Sequence, residues 1–222
     1  MTDTYAGREI HRLDVETTLG VVHLAGFSQK PDHRTVIFDI LSDFVGEAVT
    51  AADLEESKED TRPRFPKLDF DVNWTHSDGY CVVAFGEHGS RPYLRIGVDL
   101  ERHLHKRLHL AERFFSAEES ALIKSLEAST DVSTKHTAEQ EFFRLWCRKE
   151  AYYKCVGGDF FEGALRRNML RNPVLSGMLQ TTAASPESST ENAVHFVDMD
   201  GSTIGSPTTA SLCIAIRKPE SL

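Results

Sequence analysis

Long apolar runs are missing from this sequence, cysteines are few, and cations are outnumbered. No stretch approaches the roughly 20 consecutive apolar residues that a membrane-crossing helix needs, so no membrane association is expected. The first twenty residues, MTDTYAGREIHRLDVETTLG, lack the apolar centre of a secretory signal. The four cysteines, Cys81, Cys147, Cys155 and Cys213, form no C-x-x-C pair and no disulfide framework. Free thiols in a reducing compartment, and hence a cytoplasmic protein, are the expectation. Lys and Arg number 25 against 34 Asp and Glu, a formal charge of −9. Phosphate backbones are bound by clustered cations, so this balance speaks against a nucleic-acid partner.

What remains is globular. In 222 residues, 40% are hydrophobic and 27% charged, which fits one or two compact domains and excludes a disordered or fibrous chain. Residues 8–27 read as one or two strands. Val36, Ile37, Ile40, Leu41, Phe44, Val45 and Ala48 recur on one face of a 3.6-residue period and predict a helix. Residues 53–66, with Pro63 and Pro66, predict a loop. Leu68 to Phe85 predicts a hairpin turning at Ser77-Asp78-Gly79. Residues 111–127 predict a helix containing the capping box Ser116-Ala117-Glu118-Glu119. Residues 128–136 read as polar loop. A long helix is expected from about Ala138 to Cys155, ended by Gly157-Gly158. Residues 181–192 read as an exposed polar linker, and His195–Met199 and Ala210–Arg217 as late strands.

The chemistry-bearing feature is acidic. From Leu94 to Glu101 the residues alternate, with Leu94, Ile96, Val98 and Leu100 on one face and Arg95, Gly97, Asp99 and Glu101 on the other. Asp99 and Glu101 therefore point the same way. Like charges so close repel unless a proton or cation relieves them. On the long helix Phe143, Trp146, Glu150 and Tyr153 share an edge, with Lys149 beside Glu150 and Lys154 a turn further on. Three carboxylates without clustered histidine or cysteine ligands suit a hard, oxygen-preferring ion such as Mg²⁺. An Asp-x-Glu strand pair also occurs on plain solvated faces, and a Glu-Lys pair on plain helix surfaces. Trp146 and Phe142 read as core, and Phe160-Phe161 as core or as the lining of a ligand tunnel or an interface. Arg102, His103, His105, Lys106, Arg107 and His109 make a basic cluster, either a solvated loop or a docking patch for an acidic partner.

Four segments occur in a telling order: Val72-Asn73-Trp74-Thr75-His76-Ser77, Gly97-Val98-Asp99-Leu100-Glu101, Arg113-Phe114-Phe115-Ser116-Ala117-Glu118-Glu119, and Phe143-Arg144-Leu145-Trp146-Cys147-Arg148-Lys149-Glu150-Ala151-Tyr152-Tyr153-Lys154. Over about residues 60–155 the chain resembles the 4′-phosphopantetheinyl transferase superfamily of the surfactin-synthetase type. The family patterns are F-N-x-S-H-S, G-[IV]-D-[IL]-E, R-F-F-x-x-x-E and W-x-x-K-E-A-x-x-K. Thr75 stands for the first Ser of the first pattern, Val72 for Phe and Trp74 for a small aliphatic residue.

The resemblance implies an α+β fold of two similar lobes related by a pseudo-twofold axis, here divided as 1–100 and 101–222, in a single-chain pseudodimer expected to be monomeric. It implies transfer of the phosphopantetheine arm of coenzyme A, the substrate, to a serine of an acyl or peptidyl carrier protein, releasing adenosine 3′,5′-bisphosphate. On that pattern Asp99, Glu101 and Glu150 hold Mg²⁺, or Mn²⁺. Asp99, Glu150 and Lys154 are catalytic, with Glu150 or a bound water as base. Arg62, Thr75, His76, Lys149 and Lys154 meet coenzyme A, together with Arg34 at the 3′-phosphate. Arg62-Pro63 resembles the family's Gly-Lys-Pro segment, with Thr61 for Gly and Arg62 for Lys. A metal-dependent nuclease or phosphohydrolase, and a non-catalytic binder of coenzyme A or carrier, are the alternatives.

Overall fold

A computed structural model describes residues 2–5, 8–28, 32–55, 62–87, 94–104, 107–129, 132–158, 160–170 and 194–218, with the backbone alone at 2–5, 132–136 and 162. The polar linker at 181–192, Thr61, His105 and Lys106 lie outside the described residues.

Two antiparallel sheets carry the chain. The first has the order β1-β2-β3-β5-β4, from β1 (Thr2–Tyr5), β2 (Arg8–Thr17), β3 (Gly20–Ser28), β4 (Val72–Ser77) and β5 (Tyr80–Gly86). The second has the order β6-β8-β7, from β6 (Arg95–Arg102), β7 (His195–Asp200) and β8 (Ala210–Arg217). Strand β6 crosses the residue-100 division and lies wholly in the second sheet. In register Asp99 pairs with Cys213 and Glu101 with Ser211.

Apolar alternation explains the layers. Ile96, Val98 and Leu100 meet Leu212, Ile214 and Ile216 of β8 and Val22, Leu24, Val82 and Ala84 of the first sheet, so the sheets pack face to face. Helix α1 (His33–Val45) covers the outer face of the first sheet with Val36, Ile37, Ile40 and Leu41. Its N-cap is Asp32, whose carboxylate accepts the Arg34 amide at 3.0 Å. The outer face of the second sheet is covered by α4 (Val132–Val156), with α2 (Leu110–Phe114) and α3 (Ala117–Glu127) beside it.

The helical region expected at 111–127 is interrupted at Phe115-Ser116. Ser116 is the N-cap of α3, with the expected capping box to Glu119 in place, and a cap residue has extended backbone. Helix α4 begins earlier than Ala138, at Val132, because extending a nucleated helix costs little even through Ser and Thr. Of the predicted loop at 53–66, the described ends meet in a bridge between Glu55 and Arg64.

The edge strands β4 and β6 are joined by side chains. The amides of Ile96, Val98, Leu100 and Arg102 donate to Asp71 Oδ2 (2.8 Å), Asn73 Oδ1 (3.3 Å), Thr75 Oγ1 (3.4 Å) and Ser77 Oγ (3.1 Å). Each bond spans 25 residues, so the two strands run side by side in parallel, with one strand's side chains in place of a backbone ladder. Every second residue of β4 serves this seam.

Candidate active site

Gly97 sets the distance between β6 and α4. A Cβ there would overlap the Ala151 carbonyl oxygen and stand 2.6 Å from the Cys155 amide nitrogen. Glycine in a strand often marks such a close backbone approach. The helix can therefore lie on the strand, with Glu150 and Lys154 above Asp99 and Glu101.

Lys154 is the centre of the arrangement. Its Nζ donates to Asp99 Oδ1 at 2.8 Å and to the Val98 carbonyl at 3.0 Å. Burial opposes the lysine charge, but Asp99 and then Glu150 outweigh it, and the lysine pKa is raised above its ordinary value. Lys154 is a fixed cation. Asp99 is buried, at 4% exposure. Its Oδ1 also accepts the Thr75 hydroxyl at 3.1 Å, whereas its Oδ2 is buried with no hydrogen bond among the described residues.

Glu101 and Glu150 respond to the same locus. Burial, then the charge on Asp99, pushes the Glu101 carboxyl up to about 7, against the opposing pull of Arg107 and Lys154. Burial, then Asp99 and Glu101, likewise pushes Glu150 up to about 7, with Lys154 opposing. Three acids thus share one fixed cation, and Arg107 reaches Glu101 at 3.6 Å. The buried Cys147 thiol donates to the Ser211 carbonyl at 3.1 Å, and burial, then Asp99, holds it protonated.

The donor chemistry fits a divalent cation. It offers three hard carboxylates, one orphaned buried oxygen and mutual repulsion in need of positive charge. Among the described residues, no group of three His, Cys, Asp or Glu side chains is gathered closely enough to hold an ion as it stands.

The other expected residues divide sharply. His76 is exposed and faces His33 across 5.8 Å between ring centres, at the start of α1, where Arg34 is also exposed. Arg62 reaches the C-terminal end of α4, donating to the Cys155 carbonyl at 3.2 Å. Thr75 and His76 point to opposite sides because strand residues alternate. Thr75 is buried, and its one proton lies on Asp99 while its oxygen accepts the Leu100 amide, so its hydroxyl does not face a ligand from outside.

Lys149 is corrected more strongly. It is fully buried, donating to Glu119 Oε2 at 2.8 Å and the Arg167 carbonyl at 2.6 Å, with the Phe115 ring 4.9 Å away. No surface is left from which it can meet coenzyme A. Phe142 is core, but Phe161 is 62% exposed and Trp146 is only half-buried. Of the basic cluster, Arg102 pairs with Asp78 at 2.9 Å, His103 bonds Ser211 at 2.9 Å and Arg107 pairs with Glu101, so these are held within the molecule.

Sequence reasoning missed the seam residues and the Glu119–Lys149 pair. The seam had a signal, since Asn73, Thr75 and Ser77 place hydrogen-bonding groups at period two along the strand. Both partners of the pair stand at motif positions, Glu119 in R-F-F-x-x-x-E and Lys149 in W-x-x-K-E-A-x-x-K, but no local pattern joins them across 30 residues.

Residues 95–200, from the first residue of β6 to the end of β7, match the family model of the 4′-phosphopantetheinyl transferase superfamily. The chain is 34% identical over 94 residues to the 4′-phosphopantetheinyl transferase gsp of Aneurinibacillus migulanus, covering 41% of this chain and 34% of that one. It is 34% identical over 145 residues to the 4′-phosphopantetheinyl transferase ffp of Bacillus subtilis, covering 59% and 55%. Over 143 residues it is 32% identical to the 4′-phosphopantetheinyl transferase Sfp of Bacillus subtilis strain 168, again covering 59% and 55%. The chain thus spans about half the length, or less, of the curated relatives it matches. With the acidic strand, the lysine-bearing helix and their spacing, these matches make the chain similar, over the segment from β6 to β7, to the 4′-phosphopantetheinyl transferase superfamily.

Proposed function

We propose that this protein transfers the 4′-phosphopantetheine arm of coenzyme A to a serine of an apo acyl or peptidyl carrier protein and releases adenosine 3′,5′-bisphosphate. The observation that carries the reading is the convergence of Asp99, Glu101 and Glu150 on a single fixed cation, Lys154, with two of the acids resisting ionisation. Such a surplus of acid suits Mg²⁺ or Mn²⁺ held by these three residues, an ion that when bound neutralises charge on the pyrophosphate.

The chain's own residues do the rest. Lys154, locked protonated, offsets negative charge where the pyrophosphate lies. His76, Arg62 and Arg34 bind the phosphates of coenzyme A from the first sheet and its helix. The serine oxygen attacks the phosphorus next to the pantetheine. The bond from that phosphorus to the nucleotide's bridging oxygen breaks, and the nucleotide departs. The serine proton passes to Glu150 or to a bound water beside it. Positioning and charge neutralisation dominate such transfers, so no perturbed nucleophile is needed on the enzyme.

In this reading residues 1–100 and 101–222 form two lobes related by a pseudo-twofold axis, and coenzyme A lies between them. A helix on one face of an antiparallel sheet occurs in each half, α1 on the first and α4 on the second, which supports it. The protein works as a monomer in the cytoplasm, without nucleic acid or membrane. No helix among the described residues is long and apolar enough to cross a membrane.

The test is to incubate the protein with coenzyme A, Mg²⁺ and apo carrier proteins and to weigh the carrier. A mass gain of one phosphopantetheine arm is expected. Retained coenzyme A binding without any gain on several carriers would replace the reading with a binding role. Phosphodiester cleavage would replace it with a hydrolase.

A further inference from the structure

We propose that Thr75 is a positioning residue that orients Asp99, and that it does not bind substrate. The inference rests on Asp99 belonging to the proposed centre. All described rungs of the β4–β6 seam hold a β6 amide, but Thr75 alone among them adds a second bond into the acidic locus. Its oxygen accepts the Leu100 amide at 3.4 Å, and its proton goes to Asp99 Oδ1 at 3.1 Å. A hydroxyl has one proton, so Thr75 has no donor left for a phosphate. A β-branched side chain is stiff about χ1, and the seam bond fixes the oxygen's place.

Asp99 Oδ1 is thus pinned from two sides, by Thr75 of the first sheet and Lys154 of α4. Two fixed donors on one oxygen restrict the carboxylate and leave Oδ2, buried and without a hydrogen bond among the described residues, as the oxygen available to a cation. Lys154 alone reaches Asp99 through a flexible stem, and a point cation tolerates several carboxylate orientations. The neighbouring His76 is exposed on the substrate side of the same strand. One strand therefore presents one residue to substrate and the next to the acidic centre.

Three variants separate positioning from mere seam strength. Thr75→Val keeps the shape and removes the hydroxyl. Thr75→Ser restores the hydroxyl. Ser77→Ala removes a neighbouring rung, 3.1 Å to the Arg102 amide, that touches no acid of the centre. Three readouts are taken on each protein: Mn²⁺ affinity by calorimetry without substrate, the Asp99 rotamer in a crystal structure, and kcat and KM for coenzyme A.

Thr75→Val should weaken Mn²⁺ and lower kcat about tenfold or more, as expected for a lost bond to a charged group, with Asp99 turned and the KM for coenzyme A within about twofold. Thr75→Ser should recover both. Ser77→Ala should lower the melting temperature comparably and leave Mn²⁺ affinity and kcat near wild type. If valine is not accommodated, Thr75→Ala takes its place. An unchanged Asp99 rotamer with unchanged Mn²⁺ affinity overturns the proposal, and so does a raised KM with kcat intact. If the wild-type protein modifies no carrier, the proposed function fails, while the rotamer and the Mn²⁺ titration still decide the role of Thr75. If it binds no Mn²⁺, the rotamer decides alone.

Discussion

Helix α4 sets two lysines against buried acids, and their surroundings differ in one respect. At Lys149 every charge is matched. Glu119 takes Lys149 and the Ser116 amide on Oε2 and the Met169 amide on Oε1, and the lysine also donates to the Arg167 carbonyl. Both side chains are wholly removed from solvent. At Lys154 the balance is uneven, because Asp99, Glu101 and Glu150 set three acids against Lys154 and Arg107, and Asp99 Oδ2 has no hydrogen bond among the described residues. A buried ion pair holds structure when every polar atom is satisfied, and the first pair ties α3 and the segment at 165–169 to α4. A buried cluster with acid in excess stores repulsion that a ligand can relieve. Stoichiometry, more than burial, distinguishes scaffold from site along this helix.

Substituting Asp99 tests the difference most severely. Asp99→Ala should abolish transfer, by on the order of 10³-fold or more, while circular dichroism and melting stay close to wild type. The loss of the Lys154 partner is offset by the relief of Glu101 and Glu150, whose carboxyls should then titrate nearer their ordinary range, measurable by carboxyl NMR. Near-normal turnover would dissolve the contrast between the two clusters.

Lys149→Met should do the reverse. It strands Glu119 without its cation, at a cost of about 3–5 kcal/mol, read as a fall in the denaturant midpoint, while turnover per folded molecule is retained. The double variant Lys149→Met with Glu119→Gln should recover much of that loss. A rise in the KM for coenzyme A at full stability would restore Lys149 to substrate binding.

Much of this was legible in order and little of it in depth. The period-two alternation of β6 placed Asp99 and Glu101 on one face, and the Ser116 capping box and the 3.6-residue stripe of α1 as far as Val45 stand where the sequence put them, the helix ending at Gly46, short of Ala48. Local patterns suffice there because each is decided within one element. Lys149 was misread because helical periodicity gives a face but not the identity of the acid that another helix brings to it. The two bonds of Thr75 were not legible because its partners, Asp99 and the Leu100 amide, belong to a strand 24 and 25 residues away. Across a seam made of side chains, no hydrophobic period carries the pairing. Phe161 stands exposed for a related reason: a Phe-Phe pair looks like core until the surface it faces is known.

Gly97→Ala sharpens the comparison by moving both clusters relative to β6. The added methyl meets backbone of α4, which cannot step aside as a flexible side chain can. The expected loss is about 1–3 kcal/mol of stability, as for other overpacked sites. Transfer should fall as well, because Lys154 withdraws from Asp99 with the helix, while the Lys149–Glu119 pair, which lies between helices, should keep its amide protection in hydrogen exchange.

The smallest expected effect is the dependence of stability on pH. Glu101 and Glu150 have folded pKa values near 7, above the ordinary 4.5. The folded state therefore binds more protons than the unfolded chain between those values, and stability falls as pH rises from about 4.5 to about 7. The stabilisation is fully present below the unfolded pKa and gone above the folded one. Glu150→Gln should flatten this slope by on the order of 1–2 kcal/mol, allowing for partial solvent screening. Lys149→Met and Glu119→Gln together should leave the slope as it is, since neither group belongs to the acid surplus. Saturating Mg²⁺ should invert it in the wild-type protein, because a cation that binds the ionised carboxyls favours the folded state more as they lose their protons. An unchanged slope in the presence of Mg²⁺ would mean that the surplus at Lys154 is relieved by protons alone.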